Sequence, residues 1–268
     1  MKAFVTALSN DAYLKGCLVL NESLKDVHSK YPLVVLAGEK LSQKSMEILK
    51  KNNIEIVFPK NKLTLPEELI EMNAKENFDY WTETFLKLSA FDLTQYEKIL
   101  LLDNDIYVRE NIDDVLDLPH MTSVTCLKYT DNFENFCTGF IVIEPKENFS
   151  NNFLPLINEL IKKGEHFGDQ TVVAMYYPDW EKQKDLHLDV AYHMIFGTVD
   201  FHNKKYGYGK DKPIKSVHFP GKKKPWTKPI GHLEHYVKYA FRRQWMLFKI
   251  FLEYDRLLIK ANLSLLKR

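Results

Sequence analysis

Four short apolar runs, separated by stretches with helical spacing, leave this chain few folds to choose from. They fall at residues 3–8, 33–37, 54–58 and 99–102, and the last, Ile99-Leu100-Leu101-Leu102, is apolar without a break. A strand that is apolar at every position must be covered on both faces, which requires helices packed above and below a largely parallel sheet. Between the first two runs, Tyr13, Cys17, Leu20 and Leu24 recur every three or four residues, after the cap-forming types Ser9-Asn10-Asp11. Ser42 is suited to cap a helix running through Leu49, Gly38 to close the strand before it, and residues 84–92 look helical in turn. The order β-α-β-α-β-α-β predicts an α/β, Rossmann-like domain.

The rhythm changes after Leu102. Strands are expected at 123–127, 140–143 and 216–219, and helices at 153–163 and 169–177. Residues 198–230 are rich in Gly, Pro and Lys and read as a loop over a site. From 233 to 266 the pattern is helical and basic, so the chain divides into a domain at 1–230 and a basic amphipathic tail at 231–268. The formal net charge of +1 conceals this division: Lys222 to Arg268 holds 12 Lys and Arg against Glu234, Glu253 and Asp255. Such a tail can pack on the acidic remainder, form a homodimer contact, or lie on an anionic membrane surface. Packing is the preferred reading. No aromatic or groove-reading motif accompanies the basic residues, so nucleic acid is excluded as a partner. The three cysteines form no CxxC pair, and neither a signal peptide nor a membrane-length apolar run is visible. A cytoplasmic protein, peripheral on a membrane if the tail binds one, is expected.

Two clusters carry chemistry. Asp103-Asn104-Asp105 directly follows the apolar strand, and ligands of α/β sheets bind beyond the carboxyl ends of strands. Carboxylates two residues apart in an extended segment point the same way, so both can reach one divalent cation, and hard oxygen ligands suit Mg²⁺ or Mn²⁺. A polar turn is the alternative. The second cluster is His218-Phe219-Pro220-Gly221-Lys222-Lys223-Lys224-Pro225-Trp226. His218 can add a nitrogen ligand, which Mn²⁺ accepts more readily than Mg²⁺, and Lys224 can neutralise a phosphate oxygen. Read alone, this stretch is a solvated basic loop.

Taken together, the clusters give the chain a resemblance to glycogenin-type members of glycosyltransferase family 8, which have the GT-A fold. The opening Phe4 to Tyr13, then Lys15-Gly16 and Leu18-Val19-Leu20, is similar to the family's first strand and helix. Leu93-Thr94-Gln95-Tyr96 leads into the metal motif, and Asn111-Ile112-Asp113-Asp114, Gly168-Asp169-Gln170 and HFPGKKKPW follow in order. The resemblance implies a retaining transferase that moves a hexose, glucose before galactose, from a UDP-sugar to a glycan, a glycoprotein or its own tyrosine. It implies Mn²⁺ on Asp103, Asp105 and His218, with Mg²⁺ as the alternative. Leu8, Asn10 and Tyr13 would line the uridine pocket, Asn104 and Lys87 would lie by the donor, Gly221 and Lys224 would cradle phosphates, and Asp169 and Gln170 would flank the sugar.

Three departures bear on the substrate. Cys137-Thr138-Gly139 stands where the family has Asn-Ser-Gly, His166 replaces an acidic residue, and a Leu-Pro-x-x-Tyr-Asn-like segment reads Leu188 to His193. An intact donor and metal site with an altered acceptor site is therefore expected. The competing reading is a catalytically idle protein that binds a nucleotide sugar or acts as a scaffold. Tyr206 and Tyr208, in a stretch read as a mobile loop, are candidate self-acceptors.

Overall fold

The structure is a computed structural model describing residues 1–60, 63–75, 79–125, 136–164, 166–227 and 233–265. The predicted alternation is present in its first half. Strand β1 (Lys2–Asn10) leads through a one-turn helix, capped by the Asn10 side chain, which accepts from Ala12 N–H at 2.9 Å, into α1 (Leu14–Asp26). Strand β2 (Leu33–Lys40) precedes α2 (Gln43–Lys51), where the Ser42 hydroxyl accepts from Ser45 N–H at 3.2 Å as expected of a cap. Then come β3 (Glu55–Val57), α3 (Glu67–Lys75), α4 (Asp79–Thr84) and β4 (Lys98–Leu102).

Beyond β4 lie β5 (Ile106–Val108), β6 (Ser123–Thr125), β7 (Phe136–Ile143), α5 (Leu154–Lys163), α6 (Asp169–Tyr176), β8 (His187–Leu188), β9 (Met194–Ile195), α7 (Val199–Tyr206), β10 (Ser216–His218), α8 (Leu233–Phe241) and α9 (Trp245–Leu265). Seven strands form the main sheet in the order β3-β2-β1-β4-β7-β6-β8. β7 runs antiparallel to both β4 and β6, and the other pairings are parallel, so the sheet is mixed but mostly parallel. A small second sheet, β5-β10-β9, sits at the end of β4.

The period-2 geometry of the strands sorts their side chains onto two cores. Phe4, Leu8, Val35, Leu100 and Leu102 face one core, packed against α1 and α9. Ala3, Val5, Val34, Leu36, Ile99 and Leu101 face the other, with Phe85, Leu88, Ile157 and Val172. Both faces are covered, which accounts for the unbroken apolar runs. Helix α9 contributes Leu247, Ile250, Phe251, Tyr254, Leu257, Leu258 and Ala261 to the first core, each large side chain worth about 1.5–3 kcal/mol of burial. It is further tied down by Arg256 to Asp26 at 2.7 Å and by Arg109 to Glu253 at 2.6 Å.

Several sequence expectations are revised. Gly38 does not close β2, because pairing with β1 resumes after a bulge and carries on to Asn10 opposite Lys40. Residues 85–92 form a tight 3₁₀ run rather than an α-helix. β7 starts four residues before the expected 140, at Phe136. Residues 198–230 are not simply a loop, since α7 occupies their start. Tyr208 is 7% exposed and donates to both Asp189 oxygens at 2.9 Å, so it is not presented as an acceptor. The tail is two helices, not one, broken after Phe241 where Arg243 takes a positive φ. The end of the expected 123–127 strand, Cys126, the boundary at 230/231 and Leu266 fall outside the described residues. Among the described residues, no helix is long and apolar enough to cross a membrane.

Candidate active site

A cleft of about 750 Å³ opens at the carboxyl ends of β1 and β4, lined by Ala7, Ser9, Tyr13, Trp81, Lys87 and the residues named below. Strand β4 ends at Leu102, and the chain turns through Asp103-Asn104-Asp105 before β5. Backbone bonds hold that turn: Asp103 N–H donates to Gly139 O at 3.0 Å, and Phe219 N–H donates to Asp105 O at 3.0 Å. The Asn104 amide donates to Ala7 O at 2.9 Å, tying the turn to β1. The β5–β10 register pairs His218 with Ile106, which sets the imidazole beside Asp105.

The charges are tightly interleaved. His218 Nε2 lies 3.0 Å from Asp105 Oδ1 and 3.7 Å from Asp103 Oδ2, while Lys224 contacts the second Asp105 oxygen. Burial opposes ionisation of Asp105, but His218 and Lys224 outweigh it and hold the carboxyl well below its usual range. Lys87 bridges Asp103 at 2.7 Å and Asp169 at 3.4 Å. Burial favours its neutral amine, yet the two carboxylates keep it charged. Asp169 opens α6, where the helix dipole favours a negative charge.

One ligand atom each from Asp103, Asp105 and His218 lies within 4.8 Å of the others. Two carboxylates and an imidazole fit a hard divalent cation such as Mg²⁺ or Mn²⁺. Gly139 is required for this placement: a Cβ there would meet Asp103 Oδ2 at 2.4 Å. Gly16 plays a like part for the turn, since a Cβ would come 2.4 Å from Asn104 O and 2.7 Å from the Trp226 ring.

Asp103, Asn104, Asp105, Tyr13, Lys87, Asp169, Gln170, His218, Gly221 and Lys224 all line the cleft, so ten of the expected residues converge. Gly221, at φ +99°, has open space where a side chain would stand. Two expected residues stand back. Leu8 is wholly buried in the core, because the alternation of β1 turns Ala7 and Ser9 toward the cleft instead. Asn10 donates to Glu83 and caps the turn before α1. Glu83 was invisible in the sequence, yet it gathers Ser9 at 2.8 Å, Asn10 and Lys40 at 3.2 Å at the rim. Trp226 braces Tyr13 edge-on at 6.1 Å and donates its indole N–H to Ala12 O.

The family model described as glycosyl transferase family 8 matches residues 4–229. The chain belongs to glycosyl transferase family 8. Human glycogenin-1 is 30% identical over 241 residues, 84% of this chain and 62% of its own length. Thus this family 8 chain spans less than two thirds of that relative. In fold it is similar to GlyE of Streptococcus pneumoniae TIGR4, described as a glycosyltransferase, with a TM-score of 0.60 and 18% identity over 99% of this chain and 63% of that one. It is also similar to the galactosyltransferase LgtC in complex with donor and acceptor sugar analogs, with a TM-score of 0.56 and 16% identity over 85% of this chain and 90% of that one.

Proposed function

We propose that this family 8 chain is a retaining glycosyltransferase that moves a hexose, glucose first and galactose second, from a UDP-sugar to a hydroxyl. The convergence of Asp103, Asp105, His218 and Lys224 in one cleft carries the reading. Asp103, Asp105 and His218 would hold Mn²⁺, which when bound neutralises diphosphate charge and makes UDP a better leaving group. Lys224 is placed to add positive charge to the same diphosphate. Tyr13 offers an aromatic face for the base, and the Gly221 backbone can approach phosphate closely. Asp169 would stabilise positive character at the anomeric carbon, while Lys87 holds it in register with Asp103.

The acceptor is a glycan or glycoprotein hydroxyl or a tyrosine of the chain itself. Residues 1–230 would carry transfer as one cytoplasmic unit. Residues 231–268 would extend it, with α9 docked and α8 packed on α9 through Tyr239, 6% exposed, and through His235, stacked on Phe251 at 4.7 Å. On α8, Leu233, Val237 and Phe241 recur every four residues and are 68%, 63% and 90% exposed, beside Lys238, Arg242 and Arg243. That stripe fits an anionic membrane surface. Pelleting with anionic but not neutral vesicles, lost in Val237→Glu/Phe241→Glu, supports this; recovery in the supernatant with both overturns it.

A panel of UDP-sugars with Mn²⁺, scored by UDP release, tests the main reading. Release with one hexose donor, abolished in Asp105→Ala, supports it. Donor binding without turnover of any member favours an idle nucleotide-sugar-binding protein instead.

A further inference from the structure

Two of the positions at which this chain departs from its family's pattern, Cys137 and His193, meet in space beside His218. Cys137 Sγ is 3.9 Å from His193 Nε2, and the His193 and His218 rings are 4.8 Å apart at their centres. Ligand atoms of Cys137, His193 and His218 all lie within 4.8 Å of one another, and all three residues are more than nine-tenths buried. The cleft is lined by His218 but by neither of the other two. His218 has work for one nitrogen only: Nε2 faces Asp105, whereas Nδ1 is buried with no hydrogen-bond partner. A buried imidazole nitrogen left in that state carries a desolvation cost that a ligand would relieve.

We propose that Cys137, His193 and His218 form a second divalent-cation site, selective for a soft or borderline ion such as Zn²⁺, adjoining the Asp103–Asp105 site and sharing His218 with it. The donor chemistry separates the two sites. One thiolate and two imidazoles suit Zn²⁺, whereas paired carboxylates suit Mn²⁺ or Mg²⁺. Backbone geometry holds the set in place: Cys137 lies on β7, His193 immediately precedes β9, and β10 pairs with β9 so that His218 stands opposite Ile195. Because His218 belongs to both sets, the sites are antagonistic. A cation on one imidazole nitrogen places positive charge beside the other and weakens it as a donor. Zn²⁺ therefore raises the Mn²⁺ concentration needed at the carboxylate site.

Cobalt(II) titration of the full chain under reducing conditions, with no nucleotide sugar present, tests the site independently of transfer. The expected result is stoichiometric binding with a near-ultraviolet thiolate-to-cobalt charge-transfer band, displaced by Zn²⁺. Cys137→Ser removes the band, His193→Gln weakens binding at least about 10-fold, and Asp103→Asn retains the band. Cys17, packed in the apolar core with its thiol pushed up to about 12 by burial, is not a competing ligand. If Cys137→Ser does not fold, His193→Gln alone decides. Absence of the band in the unaltered chain, its survival in Cys137→Ser, or unchanged affinity in folded His193→Gln overturns the proposal.

Discussion

His218 and Asp105 stand 3.0 Å apart, nitrogen to carboxylate oxygen, because antiparallel pairing of β5 and β10 joins a motif in the middle of the domain to one near its end. Asp105 also receives Lys224, so one carboxylate anchors both the imidazole and the ammonium of the second motif. Asp105→Asn keeps the shape and removes the charge. UDP release at saturating Mn²⁺ is expected to fall by about 100-fold or more, with the far-ultraviolet circular dichroism unchanged. Activity within a few-fold of the parent would sink the metal assignment.

Gly139 gives a test that replaces none of the proposed ligand residues. Adding one methyl puts a carbon 2.4 Å from Asp103 Oδ2, so the carboxylate must move. Gly139→Ala should weaken Mn²⁺ activation by roughly 10- to 100-fold. The readout is the Mn²⁺ concentration giving half-maximal rate, and an unchanged value would refute the close-approach argument.

The clamp on α9 concerns stability rather than chemistry. Arg109 meets Glu253 through two nitrogens, at 2.6 and 3.0 Å, and also donates to Ile214 O at 3.0 Å. Arg109→Met leaves a half-buried carboxylate without its cation and should cost about 3 kcal/mol in urea unfolding. The double change Arg109→Met/Glu253→Leu should recover most of it. Equal losses in single and double variants would point to packing instead of the ion pair.

His120 makes folding pH-dependent in a defined window. Its Nδ1 accepts from Glu144 N–H at 3.0 Å and its Nε2 lies 3.0 Å from the Tyr177 hydroxyl. Burial lowers its pKa from 6.5 to about 4. Between those values the unfolded chain takes up a proton that the folded chain does not, so stability falls as pH drops from 6.5 toward 4. The loss is at most about 1.4 kcal/mol per pH unit. His120→Gln should flatten that part of the profile, measured by urea midpoints at pH 7 and 5; identical slopes would exclude His120 as the source.

Much of the first half was legible because its physics is local. Ser42 caps a helix by contact with a residue three positions on, and the run from Ile99 to Leu102 shows no polar alternation because both faces of β4 are buried. The site was harder. Glu83 reaches Ser9 and Asn10 across a long stretch of chain, and no spacing announces such a pair. Leu8 shows the converse, since a strand's two-residue period sends it to the core while its neighbours face the cleft.

The α/β alternation, the acidic turn after β4, the basic motif after β10 and the family resemblance could all be read along the chain, since each resides in a contiguous segment whose residue types carry their own constraints. It took the packed fold to show that His218 faces Asp105, that Gly139 yields room to Asp103, that Cys137 and His193 meet, and that the basic tail divides into a docked α9 and an α8 that packs on it while leaving Leu233, Val237 and Phe241 exposed. Those relations depend on strand register and helix packing between distant segments. A one-residue shift in register would turn the same side chains to the opposite face, so no reading of spacing along the chain can supply them.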